Sequence, residues 1–285
     1  MSVLLEMSMF PTDHGESKSE YVSQVIKTIR ESGYPYQLTP MATIIETDKM
    51  SPRDLKRKLA RDIISIYYDD KQAGALLAEN LISSGKSKGY ASLFITGLSG
   101  DNSEISVNRE KGLFTNLNEQ IQLNQVVRTL WDPVKSQAIV PSILKRYPKT
   151  NVFWTASDEI ALAVKHALSK GGYRKEMLIG GIGWTPKAIN AIKNNELTAS
   201  VGGHFMQGAW AVIKAFDHSQ GYQAFSIQNS QPLLHQAINK DNINQYQMLA
   251  NNPNWKQIDF TQFSLFLNKK ITQYNFDLDL VISSL

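Results

Sequence analysis

Residues 2–10 are largely apolar around Glu6 and read as a buried strand, which Pro11 to Gly15 break. Residues 17–30 then place Tyr21, Val22, Val25, Ile26 and Ile29 at helical spacing, so an amphipathic helix is predicted there. Gly33 stops it and Pro35 follows. Residues 36–46 read as a second strand, with Pro40 marking an edge or a bulge. The opening segment is therefore β-α-β. A polar, charged stretch over 48–61, with Pro52 early in it, sets a junction near residue 51.

Beyond Ile63 the pattern becomes regular. Strands are predicted at 63–67, 90–96, 125–130, 152–155, 177–182 and 197–202. Helices are predicted between and after them, at 70–83, 107–120, 134–146, 158–169, 186–194 and 206–217. Alternation at this spacing argues for an α/β fold with a parallel sheet and helices on both faces. The tail from 222 to 285 is less regular, but IDFTQFSLFL and YNFDLDLVI carry enough apolar residues to predict packing.

Composition narrows the function classes. Of 285 residues, 42% are apolar and 20% charged, the balance of an ordinary globular chain. The net charge of +4 is modest, and no basic stripe interleaves with aromatics, which argues against nucleic acid as a partner. The one basic cluster, Arg53 to Arg61, reads as a solvated face or linker. With no cysteine there is no disulfide, thiolate metal site or cysteine nucleophile. No apolar run approaches the ~20 residues that span a bilayer. The N-terminus has no basic n-region, long apolar core or small-residue cleavage site, so the expectation from the chain as written is a cytoplasmic location.

In open parallel sheets, ligands sit outside the carboxyl ends of the strands. The residues that follow the predicted strands are Arg109 at the end of a polar loop, Trp131 and Asp132, Ser157 and Asp158, Gly183 and Trp184, and Gly203 with His204. Trp131, Trp154 and Trp184 thus gather near one edge. Flat aromatics stack on the apolar face of a sugar ring, while Arg, Asp and Ser serve its hydroxyls. Each residue also has a structural reading. A tryptophan after a strand is often core, Asp158 can cap the helix that follows it, and His204 can be a core histidine. Arg109 lies just inside the start of its predicted helix, where the macrodipole disfavours a cation, which points to a specific partner. Asp69 and Asp70 serve a helix N-terminus. No nucleophile elbow, phosphate loop or metal-spaced histidine pair is present, so neither enzyme nor cofactor is expected.

Several blocks, in order, carry a resemblance: YYDDKQAGALLAENLI, LFITG, NREKGLFTNL, VFWTASDEIALAVKHAL and IGGIGWTPKAINAIKNNELTASVGGHFMQGAWAVI. Residues 52–285 resemble the type I periplasmic solute-binding proteins of sugar ABC transporters. The resemblance implies two α/β lobes, a periplasmic location, and non-catalytic binding of a small sugar-like solute. The implied partner is an ABC transporter permease or a membrane sensor, without membrane insertion of the chain itself. Arg109 matches a sugar-binding arginine and Trp131 a stacking aromatic. Ser157 stands where Asn is common, Gly183 where Asp or Asn is usual, and Gly203 where a polar residue is frequent, with His204 beside it. The ligand-binding set expected is Arg109, Trp131, Asp132, Ser157, Asp158, Trp184 and His204.

The front departs from that family. MSVLLEMSMFPTDHGES, YVSQVIKTIRESGYPYQLTPM and TIIET resemble the first half of a small ferredoxin-like family proposed to bind thiamine. The organisation expected is thus a partial ferredoxin-like unit at 1–50 and a partial solute-binding protein at 51–285. Its second lobe falls at about 90–205, and what remains of its first lobe at about 52–89 and 206–285. The alternatives are thiamine or metabolite binding through the N-terminal unit, or a fusion remnant without a ligand.

Overall fold

The structure, a computed structural model, describes residues 4–7, 36–38, 43–46, 67–173, 176–222, 224, 232–250 and 257–283. The chain falls into two units. One joins Met1–Tyr67, Met206–Gln231 and Asp259–Phe276, the other Tyr68–Phe205, Pro232–Ile258 and Asp277–Leu285. This grouping differs from the lobes expected above: residues 70–87 pack on the large sheet and residues 236–239 form its edge strand.

In the first unit, β1 (Leu4–Met7), β2 (Tyr36–Leu38) and β3 (Thr43–Glu46) form an antiparallel sheet in the order β1-β3-β2. The stretch 36–46, expected to be one strand, is two paired strands, and Pro40 falls between them. A proline has no N–H for a ladder, which disfavours one unbroken strand over 36–46. β1 pairs with β3 from Leu4↔Glu46 to Met7↔Thr43. The helix expected at 17–30, the basic cluster at 53–61 and most of the strand expected at 63–67 lie outside the described residues.

The second unit alternates α1 (Asp70–Ser87), β4 (Leu93–Ser99), α2 (Glu104–Phe114), β5 (Ile121–Arg128), α3 (Pro133–Arg146), β6 (Val152–Thr155), α4 (Asp158–Lys170), β7 (Leu178–Ile182), α5 (Pro186–Lys193) and β8 (Ala199–Gly202). β9 (Gln236–Asn239) joins later. The sheet order is β5-β4-β6-β7-β8-β9, parallel except for β9, which runs against β8. β6, β7 and β8 are buried along their whole length, which is why they read as unbroken apolar runs. β4 is the first strand; β5 is laid on one side of it and β6 on the other. The crossovers therefore diverge between β4 and β6, and such a switch point opens a crevice at the carboxyl ends.

Five helices that leave this edge start the same way. The side chains of Asp69, Ser103, Asp132, Ser157 and Thr185 each accept from a backbone N–H in the first turn of the helix that follows. A cap of this kind contributes about 1 kcal/mol. α1 and α2 touch backbone to backbone: a Cβ on Gly74 would lie 2.0 Å from the Arg109 carbonyl oxygen, and one on Gly112 2.0 Å from that of Lys71. Leu77, Leu81, Ile95, Leu113, Trp154 and Leu178 fill the layer beneath.

Returning to the first unit, α6 (Gln207–Ser219) carries a fully buried Asp217. Its carboxylate accepts from the N–H groups of Leu265 (2.7 Å) and Phe266 (3.3 Å), the Tyr274 hydroxyl (2.9 Å) and the Ser264 hydroxyl. Trp210 stacks on Phe276 with ring centroids 4.6 Å apart. One carboxylate and one indole thus tie residues 260–276 to α6.

Candidate functional site

The close crossing of α1 and α2 sets Arg109 beside the start of α1. Its Nε donates to Asp70 Oδ1 at 2.8 Å, and its Nη1 donates to the Ala156 carbonyl at 2.7 Å. A guanidinium has five N–H donors; two are used here, and no described residue accepts from the other three. Helix α2 begins at Glu104, capped by Ser103, and not at 107 as expected. Arg109 is therefore in the second turn, where the macrodipole argument does not apply; its specific partner is Asp70.

Trp131 lies against this arginine, with the guanidinium carbon 5.8 Å from the ring centroid. Two things hold the ring there. Leu130 and Trp131 both have left-handed backbones (φ 59° and 61°), inside a tight turn closed by Asp132 N–H to the Thr129 carbonyl at 3.1 Å. Such residues cost on the order of 1–3 kcal/mol each and persist where the surroundings fix them. The ring is also seated on Gly100, where a Cβ would fall 2.1 Å from it. The nearby Asp101 carboxyl is lowered to about 2, chiefly by the hydrogen bonds from Ser103. Gly100 follows β4 and Ala156 follows β6, so Arg109 and Trp131 meet at the switch point.

The other expected residues divide. Asp132 caps α3 by accepting from Val134 N–H (2.8 Å) and Lys135 N–H (3.2 Å), and is half-buried. Ser157, also half-buried, caps α4 by accepting from Ile160 N–H at 3.3 Å. The α4 cap is thus Ser157 and not Asp158. Asp158 is fully buried and accepts from Thr185 N–H (2.8 Å), the Thr185 hydroxyl (3.1 Å) and the Ser200 hydroxyl (2.7 Å). Burial pushes its carboxyl up to about 7, against the pull of those donors. Trp184 is 2% exposed, donates its indole N–H to the Ser200 carbonyl at 3.1 Å and packs on Tyr246. Trp154 is fully buried, with its indole N–H on the Gly74 carbonyl at 3.0 Å. Asp158, Trp184 and Trp154 hold the sheet together, and nothing in their geometry faces outward. Apolar residues after a strand belong to the core when the next helix covers them.

His204, at the end of β8, is partly exposed, and burial and the Arg109 charge lower it to about 4. Beside it stand two residues that sequence reasoning missed, Tyr68 and His235. The ring centroids of His204 and His235 are 5.6 Å apart, and Tyr68 lies 4.9 Å from His235. No local signal marks His235: it precedes a short edge strand in the tail that the hydrophobic pattern left irregular.

The second unit is thus a mostly parallel α/β sheet flanked by helices, with Arg109 and Trp131 at its switch point. Residues 57–223 match the family described as periplasmic binding protein domain, and the chain belongs to that family. Residues 5–52 match a second family, thiamine-binding protein. Among solved structures, a periplasmic sugar-binding protein from Pseudomonas fluorescens is 25% identical, with a TM-score of 0.67 over 82% of this chain and 72% of that one. A periplasmic solute-binding protein of an ABC transporter from Actinobacillus succinogenes, with bound D-allose, shares the fold at 17% identity and a TM-score of 0.58, over 70% and 69% of the two chains. A curated UPF0045 protein of Mycobacterium bovis is 44% identical over 48 residues, 17% of this chain and 47% of that protein. The chain thus spans about half the length of the curated relatives it matches. The matched family and these solved structures are binding proteins. No helix among the described residues is long and apolar enough to cross a membrane.

Proposed function

We propose that this chain binds a small sugar without transforming it, as the solute-binding part of an ABC-type uptake system or of a membrane sensor. One observation carries the reading: the Arg109 guanidinium, fixed by Asp70 and the Ala156 carbonyl, lies beside the Trp131 ring at the switch point, and no described residue accepts from its other three N–H groups. The aromatic face takes the C–H face of a sugar, and the donors take its oxygens. Asp132, Ser157 and His204 border the same edge, while Asp158 and Trp184 brace it from beneath.

Thermal unfolding of the full chain with D-ribose, D-glucose, D-galactose and thiamine in parallel tests this. Ligand at a hundredfold over Kd stabilises by about 2.7 kcal/mol, a clear rise in Tm. At least one sugar is expected to raise the Tm, and Trp131→Ala and Arg109→Ala to abolish the rise while circular dichroism stays native. The match of residues 5–52 favours a second reading, a thiamine-class ligand held by the N-terminal segment. A rise with thiamine and with none of the sugars would replace the first reading with that one.

A further inference from the structure

Building on the solute-binding reading above, we propose that His204 and His235 form its hydroxyl-recognising part, and that the solute carries hydroxyl groups on neighbouring carbons. The two residues lie side by side because β9 runs back along β8, with Gly202 opposite Gln236. Gln72 fixes the His235 backbone at both ends: its Oε1 accepts from His235 N–H at 3.0 Å, and its Nε2 donates to the His235 carbonyl at 3.1 Å. Tyr68 packs on both rings, 4.9 Å from His235 and 6.4 Å from His204. The imidazoles therefore have little freedom to turn.

The Nδ1 atom of each ring is buried and has no hydrogen-bond partner among the described residues. His235 as a whole is 2% exposed, whereas His204 is partly exposed. Buried polar atoms in folded proteins nearly always have partners, and each exception calls for a reason. Two exceptions on rings 5.6 Å apart call for one partner that serves both.

Charged and titratable groups near the pair include Asp69 and Asp70 at the start of α1, Arg109 on α2, and Tyr68. Asp69 is engaged in capping and Asp70 in the pair with Arg109. Burial first, and the Arg109 charge with it, hold both rings in the neutral form. A neutral imidazole nitrogen either donates or accepts, according to the tautomer. A hydroxyl also does both. Two such nitrogens side by side suit two adjacent hydroxyls. A cationic solute would instead meet the Arg109 charge. These histidines supply the hydrogen-bonding capacity that Gly183 and Gly203 do not.

Calorimetric titration of the full chain with D-ribose, D-glucose and D-galactose, each beside its 2-deoxy and 3-deoxy counterparts, tests this directly. A site built around a hydroxyl rejects the analogue that lacks it, so at least one deoxy form is expected to bind about tenfold or more weakly. In His204→Gln and His235→Gln the intact sugar should fall toward the affinity of that deoxy form, closing the gap. A sugar that binds the wild type as tightly as both its deoxy forms would remove the histidines from the site and leave solute binding standing. Failure of every sugar to bind would remove the solute-binding reading, and this assignment with it.

Discussion

Polar side chains along the carboxyl edge answer to two demands, and only the structure tells them apart. Asp132 and Ser157 have the composition of ligand contacts, yet each first satisfies the N–H groups of a helix start. Arg109 donates to Asp70 and to the Ala156 carbonyl, and no described residue accepts from its other three N–H groups. The buried titratable groups give the fold opposing dependences on pH. His204 and His235 are held at about 4 and about 2, below the ordinary 6.5. Their share of stability is complete above about pH 6.5 and is lost as pH falls toward 4, because the unfolded chain takes up protons that the fold refuses. Asp158 is held at about 7, above the ordinary 3.8. Its share is complete below about pH 3.8 and is lost as pH rises through 7. Thermal midpoints measured from pH 4 to pH 8 should show both. The His204→Gln/His235→Gln double variant is expected to lose less stability below pH 6.5 than the wild type. Asp158→Asn should cost about 1–3 kcal/mol in acid, through mismatched donors, and then show a smaller fall from pH 4 to pH 7. A double variant with the wild-type acid profile would mean that the imidazoles protonate freely in the fold.

At the scale of elements, the decisive contact is the crossing of α1 and α2, because it sets Arg109 on Asp70. Gly74→Ala or Gly112→Ala would force a methyl to within 2.0 Å of a backbone carbonyl, which flexible side chains cannot relieve. Each is expected to destabilise by about 1–3 kcal/mol, read as a lower urea midpoint, and to weaken sugar binding along with it. Loss of stability with sugar affinity unchanged would separate this crossing from the site. The parallel strands were legible because both faces are covered: 152–155 is read to the residue, and 178–182 and 199–202 to within two. β5 was not, since it is an edge strand with polar positions such as Gln122 and Asn124, and it begins at Ile121 and not at 125. The helix expected at 107–120 runs from 104 to 114, because Ser103 caps it early and Asn116 and Asn118 turn the chain after it. Arg109 and Trp131 were legible as post-strand residues matching a known pattern. Tyr68 and His235 were not, because their nearness depends on pairing between β8 and β9, segments far apart in sequence.

At the scale of the whole molecule, the chain crosses between its two units several times, so neither unit is one continuous piece of sequence. The solute site argued here is built from the second unit alone: Asp70, Arg109, Trp131, Ala156, His204 and His235 all belong to it. The thiamine-like match falls in residues 5–52, in the first unit. The two readings therefore predict protection in different stretches of one chain. Hydrogen exchange of the intact protein, with and without a saturating sugar, separates them without any substitution. Slower exchange is expected where bound ligand suppresses local opening: in peptides covering 99–109, 128–132, 155–158 and 202–205, with 233–236 following if the histidines take part. Peptides from 4–46 should be unchanged by sugar. Protection confined to that N-terminal stretch, or induced there by thiamine while the second unit ignores every sugar, would move the binding function to the first unit and leave the Arg109–Trp131 pair a structural contact.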